Sequence, residues 1–270
     1  MQSFRLKNII ILILALLNIF LLFSLSSRKT AQQESRQRIQ SQLVELFAAD
    51  SSGNITLDPD AISFQTPPVG GTLVRDVEHD RKMASFLLGE GLTYSDQGGG
   101  IYSYDSSAGA AVFRSGGNFD ASLHLSADTD AESFCKKLCK TFQYENLTFQ
   151  TADGHTTATA VRSFNGYLVA NCTITFSIDG DSLNISGTLL PDSMTPAPGT
   201  DDLSGPAALT AFLNARRETG AVVSEITEMY PCYELQNTAA AAMTLTPAWC
   251  ISTSAGLYYV NCYTGAVTHE

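Results

Sequence analysis

The chain has 270 residues, 44% hydrophobic and 16% charged, with a formal net charge of −11, a globular composition that excludes a disordered chain and a disulfide-stapled miniprotein. The charge is uneven: residues 1–38 hold six bases (Arg5, Lys7, Arg28, Lys29, Arg36, Arg38) and one acid (Glu34), which leaves 10 bases and 26 acids on the other 232 residues. A body with a net charge of −16 repels phosphate backbones, and nucleic-acid binding is excluded.

The first element is apolar. Ile9 to Phe23 is a run of fifteen residues with Asn18 as its only polar member, and extension to Leu25 gives seventeen, the short end of a transmembrane helix. A cleaved signal peptide and an uncleaved anchor compete. Ser24-Leu25-Ser26 matches a cleavage site only weakly, no cysteine follows for lipid attachment, and a polar helical stretch (Ala31–Ala49) follows without a loop. The expectation is a tail over 1–8 and an anchor over 9–26. The positive-inside count does not favour an internal N-terminus, since more bases follow the run than precede it. The absence of a second apolar span, and a strand-rich body poor in Lys and Arg, point to an internal tail and an external body. Asn18 reads equally as a residue bonded to its own helix or as an interhelical hydrogen bond, worth about 0.6–2 kcal/mol. Leu14, Leu17, Leu21 and Leu22 form an apolar face beside it at three- and four-residue spacing.

Residues 27–50 read as a stalk helix with Ile39, Leu43, Leu46 and Phe47 at helical spacing. Beyond Asp50 one pattern occurs three times: an amphipathic helix, then short strands separated by turn residues. The first helix is expected from about Val74 to Leu88 with Val77, Ala84, Leu87 and Leu88 inward, and strands follow near Ile101–Tyr104, Ala110–Arg114 and Phe119–Leu125. In the second unit Thr129 and Glu132 read as a capping box, with Phe134, Cys135, Leu138, Cys139 and Phe142 as the buried stripe. Asp153-Gly154, Asn165-Gly166 and Asp179-Gly180 separate four alternating runs, Leu147–Thr151, Thr157–Phe164, Tyr167–Ile178 and Leu183–Leu190, a four-stranded meander. Pro191–Pro206 reads as a linker, followed by a helix over Ala207–Thr219 and strands near Val222–Glu234, Met243–Ile251, Leu257–Tyr263 and Ala266–Thr268. The fold class is α+β, with helices on antiparallel sheets, two units in 51–195 and one in 196–270.

Little in the sequence speaks for chemistry. The six cysteines (Cys135, Cys139, Cys172, Cys232, Cys250, Cys262) allow three disulfides, or small buried thiols, since Cys135 and Cys139 share an inward helix face. No Cys-x-x-Cys, His-Glu-x-x-His, Gly-x-Ser-x-Gly or phosphate-binding glycine loop occurs, and His79, His124, His155 and His269 are scattered. His79 lies among acids and reads as a solvated helix start. No catalytic residue, cofactor, metal or small-molecule substrate is expected. The Asn-x-Ser/Thr triplets at Asn54, Asn146, Asn171 and Asn184 carry no weight.

Two stretches carry a resemblance. Phe4-Arg5-Leu6-Lys7-Asn8-Ile9, continuing through Leu17-Asn18-Ile19-Phe20-Leu21-Leu22, resembles the membrane anchor of the YycH/YycI regulatory proteins. Leu245-Thr246-Pro247-Ala248-Trp249-Cys250-Ile251 with Tyr258-Tyr259-Val260-Asn261-Cys262-Tyr263-Thr264-Gly265 is similar to the closing hairpin of the YycI type, and related hairpins close PepSY domains. The likeness covers about 35 residues at the two ends of the chain, and Cys262 stands where the pattern has a small residue. It implies a single-pass protein of the bacterial cell membrane with an extracytoplasmic body, no catalysis, and a complex with a sensor histidine kinase and a sister YycH-like protein. The span would then meet kinase helices through Leu14, Leu17, Asn18, Leu21 and Leu22. The residues themselves give Pro247, Trp249, Tyr258, Tyr259, Tyr263 and Gly265 a mainly structural role, with cross-strand aromatic pairs stabilising a sheet. Two functions follow as expectations: a non-enzymatic regulator of a cell-envelope two-component system, or a PepSY-like inhibitor or binding module acting on an envelope hydrolase.

Overall fold

A computed structural model describes residues 2–50, 53–126, 128–198, 202–237 and 243–270. It opens with one helix, α1 (Gln2–Ala48, 47 residues), which contains neither glycine nor proline, so nothing interrupts it where the anchor was expected to give way to the stalk. Among its described side chains, the buried ones lie near its end, at Leu43 and Phe47. Among the described residues no helix is long and apolar enough to cross a membrane; the side chains of residues 9–13, 15, 16, 22, 25 and 26 of the expected anchor lie outside the described ones.

The chain then forms β1 (Thr56–Leu57) and β2 (Gly71–Leu73), followed by α2 (Val77–Leu88) and the strands β3 (Thr93–Gly98), β4 (Ile101–Ser106), β5 (Gly109–Phe113) and β6 (Asn118–His124). A second helix, α3 (Ala131–Thr141), leads into β7 (Tyr144–Ala152), β8 (His155–Phe164), β9 (Tyr167–Asp179) and β10 (Ser182–Thr188). A third, α4 (Gly205–Thr219), follows the short β11 (Thr195–Pro196) and leads into β12 (Glu225–Asn237), β13 (Met243–Thr253), β14 (Gly256–Asn261) and β15 (Val267–His269). Each of these three helices is therefore followed by a run of four strands, with the short β11 added after the second run. Asp153 (φ 52°) with Gly154 (φ 79°), and Asn165 (φ 51°) with Gly166 (φ 81°), supply the positive φ that the two hairpins of β7–β9 require.

The first two meanders do not stand apart. β6 pairs antiparallel with β10 over seven residues, from Ser182↔His124 to Thr188↔Asn118, and makes one sheet in the order β3-β4-β5-β6-β10-β9-β8-β7. Helices α2 and α3 cover one face with Met83, Ala84, Leu87, Cys135, Leu138 and Cys139 packed on Phe113, Phe119 and Phe176. The other sheet is built on β12, β13, β14 and β15, with β1 parallel to β12 and β2 beside the start of β13. Its core sets Leu43 and Phe47 of α1 and Leu209, Phe212 and Leu213 of α4 against Trp249, Ile251 and Val260. The sheet that α4 covers thus takes strands from residues 56–73 as well.

Several sequence expectations change in detail. α2 starts at Val77, because Asp76 caps it by accepting from Glu78 N, and this register turns His79 and Asp80 inward beside Met83. The solvated reading of His79 is thereby corrected. α3 is capped by Asp130, which accepts from Ser133 N, while the Thr129 hydroxyl bonds Ser126; the expected box does not form. β3 is an addition to the expected strands: every residue of Thr-Tyr-Ser-Asp-Gln-Gly is exposed, so no alternation marks it. The Pro191–Pro206 linker contains β11, which pairs with β2.

The two sheets share a buried core in which Phe164, Val169, Cys172 and Leu190 pack with Leu73, Tyr233, Leu235, Met243 and Leu245, and their backbone pairing is confined to one place beside it. β9 and β12 share a single parallel bridge, Val169↔Tyr233. Next to it the Asn171 side chain acts as a strand segment: Nδ2 donates to Leu235 O at 2.7 Å and Oδ1 accepts from Leu235 N at 2.7 Å. Each net hydrogen bond is worth roughly 0.5–1.5 kcal/mol. Asn171→Ala is expected to lower the unfolding free energy by about 1–3 kcal/mol, measured by urea denaturation.

Candidate functional site

The residues with most at stake lie where α1 meets α4. Asp50, two residues past α1, has a side chain with 0% exposure, and Arg216 beside it has 3%. Arg216 donates from Nη1 to Asp50 Oδ2 and from Nε to Ala221 O (3.1 Å), and Arg217 donates from Nε to Asp50 Oδ1 at 2.7 Å. One carboxylate thus binds two consecutive guanidinium groups 166 and 167 positions away. The left-handed C-cap Gly220 (φ 69°) closes α4 and turns Ala221 back towards Arg216.

Around this clamp runs an aromatic column. Phe47 of α1 stacks on Phe212 of α4 (6.5 Å, 7°), Phe212 meets Tyr258 of β14 edge-on (5.0 Å), and Tyr258 packs on His269 of β15 (4.3 Å). A cavity of about 240 Å³ opens beside it, lined by Phe212, Ala215, Arg216, Tyr258, Val267 and His269 among others. Further up α1, Arg36 lies over the Phe64 ring at 5.2 Å and Gln40 Nε2 donates to Pro59 O at 2.8 Å. The last turns of α1 are therefore fixed to the body from Arg36 onward.

The hairpin residues expected from sequence fall in the same unit. Trp249 is fully buried and donates from Nε1 to Leu203 O at 2.7 Å. Pro247, Tyr258 and Tyr259 are buried, and Tyr259 donates its hydroxyl to Glu270 Oε2 at 2.9 Å. Tyr263 is 40% exposed and borders the turn, where Asn261 Oδ1 accepts from Tyr263 N (2.9 Å) and Thr264 N (3.1 Å), and Gly265 takes φ 69°. On α1, Leu14, Leu17, Asn18 and Leu21 are exposed, and Asn18 Nδ2 donates to Leu14 O at 2.9 Å; the side chain of Leu22 lies outside the described ones. The span residues and the hairpin are not brought together.

All six cysteines are buried and free. Burial pushes the thiols up, Cys139 and Cys250 to about 11 and Cys135, Cys172 and Cys262 to about 12, and Cys232 also rises, so none is a thiolate near neutral pH. Among the described residues no three or more His, Cys, Asp or Glu gather to hold a metal. A second polar cluster lies under α2: His79 Nδ1 is 3.3 Å from Asp192 Oδ2, Arg162 Nη2 is 3.7 Å from Asp192 Oδ1, and Arg162 donates from Nη1 to Gln143 O at 3.1 Å. Burial lowers the His79 pKa from the ordinary 6.5, with Lys82 and Arg162 pushing the same way against Asp192 and Asp76. Sequence reasoning missed Asp50, Arg216 and Arg217. The only local signal is a pair of bases in the last turn of a helix, where they complement the dipole, and a contact across 166 residues has no signature in spacing.

No protein-family model matches the chain, and no curated protein matches it. The fold is similar to that of an uncharacterized protein from Eubacterium rectale ATCC 33656, with a TM-score of 0.50 and 12% sequence identity over 82% of this chain and 92% of that one. The C-terminal domain of Bacillus megaterium YpeB aligns over 74% of this chain and 99% of its own, with a TM-score of 0.36 and 12% identity.

Removing one partner of a buried ion pair strands the other charge, at a cost of about 3–5 kcal/mol. Asp50→Ala should destabilise the chain by that amount and free the last turns of α1, seen as new protease cleavage near residues 36–50; Arg217→Ala, at the 40% exposed arginine, should cost much less. For His79 the unfolded chain takes up a proton near pH 6.5 that the folded chain resists, so stability falls as pH drops below 6.5. Thermal denaturation from pH 7 to pH 5 should show a steeper loss for the natural chain than for His79→Gln. A thiol-reactive chromogenic disulfide should titrate no cysteine in the native chain and all six after denaturation.

Proposed function

We propose that this chain is a non-enzymatic, membrane-anchored regulator whose extracytoplasmic body modulates a sensor histidine kinase of a cell-envelope two-component system. The supporting observation is the course of α1. It runs unbroken from the apolar segment into the body, where Phe47 and Asp50 are seated in the third unit. A helix exposing Leu14, Leu17, Ile19, Phe20, Leu21 and Phe23 around its circumference suits lipid and neighbouring helices rather than water. Anything that rotates or displaces the span would then act directly on the body.

The kinase itself is named by the resemblance of the two chain ends to the YycH/YycI proteins, and a sister protein of the YycH type is its expected companion. The second reading is a PepSY-like module that inhibits or binds an envelope hydrolase, favoured by the third unit, in which α4 lies on the β12–β15 meander and the Asn261–Gly265 turn closes it.

The test is co-purification from native membranes. The chain is expected in the membrane fraction with a histidine kinase. Asn18→Leu should leave insertion intact and weaken the association up to about tenfold, the equivalent of ~1.4 kcal/mol. A soluble chain, or a complex unaffected both by Asn18→Leu and by an unrelated span, contradicts a kinase contact within the membrane; recovery with an envelope hydrolase in place of a kinase selects the second reading.

A further inference from the structure

We propose that β3 and α2 form a docking groove for an extended, basic peptide segment of a partner protein, which adds a strand to the open edge of the eight-stranded sheet. β3 ends the sheet, with β4 its neighbour on one side. Thr93, Tyr94, Ser95 and Asp96 keep unbroken register with Asp105, Tyr104, Ser103 and Tyr102, so their outward backbone groups form a regular row of donors and acceptors. Edges of this kind are normally blunted by lysine, proline, a bulge or a cover. β3 contains neither lysine nor proline, all six of its residues are exposed, and its register shift comes only at the far end, between Asp96 and Gly98. The opposite edge strand, β7, is by contrast broken early, between Glu145 and Thr148, with Asn146 at φ 57°.

A second observation gives the edge a specificity pocket. α2 packs mainly on β5, and on β4 and β6 beside it. The space left between α2 and the edge is a hollow of about 340 Å³, lined by Val77, Glu78 and Arg81 from the helix, by Leu92 just before β3, and by Tyr94 and Tyr104 from the sheet. Tyr94 is 55% exposed and packs on Tyr104 (5.4 Å) and Tyr102 (5.8 Å), so its ring forms one wall of the hollow. Strand addition draws affinity from backbone pairing and selectivity from pockets that take alternate side chains. An incoming strand would place one apolar or aromatic side chain in this hollow, where it would complete the core that α2 leaves open.

Charge selects among occupants. Glu78 at the mouth and Asp96 on the same strand face outnumber Arg81, because the nearby Arg75 is already paired with Asp80 at 2.7 Å. The chain as a whole carries −11. A second copy of the same acidic chain is disfavoured at this edge, and a segment with basic residues flanking an apolar one fits it. The inference stands independently of the kinase reading.

The probe is a fluorescein-labelled peptide, Lys-Val-Thr-Phe-Thr-Val-Lys, titrated by anisotropy against the full chain in detergent. Expected is saturable binding that weakens at least tenfold when alternate peptide nitrogens are methylated, and at least threefold when both lysines become glutamates. Glu78→Lys should reverse the charge preference, and Val77→Tyr, which fills the hollow, should abolish the preference for Phe over Ala at the central position. No binding, binding indifferent to N-methylation, or self-association through β3 without peptide binding overturns the proposal.

Discussion

A carboxylate with no exposure to water needs its charge answered by protein, and Asp50 has it answered by two arginines of α4. Taking such an ion out of water costs several kcal/mol, recovered only when geometry and further hydrogen bonds are good. Here they are good only with α1 ended, the chain turned at Gly53, and α4 capped at Gly220 so that Ala221 O meets Arg216. The clamp therefore fixes the register of α1 on the third unit, and it does so at the base of the Phe47–Phe212–Tyr258 column. A purely apolar contact would hold α1 as firmly but would tolerate sliding by a turn; a charge with two fixed partners does not. That is the physical basis for treating the long helix and the body as one mechanical unit.

The rest of the architecture hangs from β12. It pairs with β13 along its length, accepts β1 in parallel at its start, and meets β9 at Tyr233. Because β1 lies just beyond the Asp50 turn, the end of α1 is delivered straight into the sheet that α4 covers. The eight-stranded sheet then joins through one backbone bridge, the Asn171 amide and a shared core in which Phe164, Val169, Cys172 and Leu190 pack with Tyr233, Leu235, Met243 and Leu245. The exposed β3 edge lies at the end of the sheet farthest along the strand order from β12.

Much of this was readable in the sequence because local chemistry dictated it. The Asp-Gly and Asn-Gly turns, the alternation along Tyr167–Ile178 and the helical spacing of Leu209, Phe212 and Leu213 each point to one structure at short range. What escaped had no short-range signature. β3 is exposed on both faces, so no alternation marks it. The β6–β10 pairing joins two meanders with α3 between them, and the Asn-x-Thr triplet at Asn171 gives no sign that both ends of its amide bond the backbone of Leu235. Asp130 took the cap that Thr129 was expected to supply because a carboxylate one residue later reaches Ser133 N directly. The Asp50 clamp is the extreme case, since its partners lie 166 and 167 residues apart from it.

The central claim is that α1 enters the body and shares its stability. Native-state hydrogen exchange of the full chain measures this directly. The account predicts that amides of residues 39–48 exchange as slowly as those of α4 and β13, and slow together with them as conditions become more stabilising. Fast exchange over 39–48 while α4 and β13 stay protected would show a helix that merely touches the body, and would contradict the account.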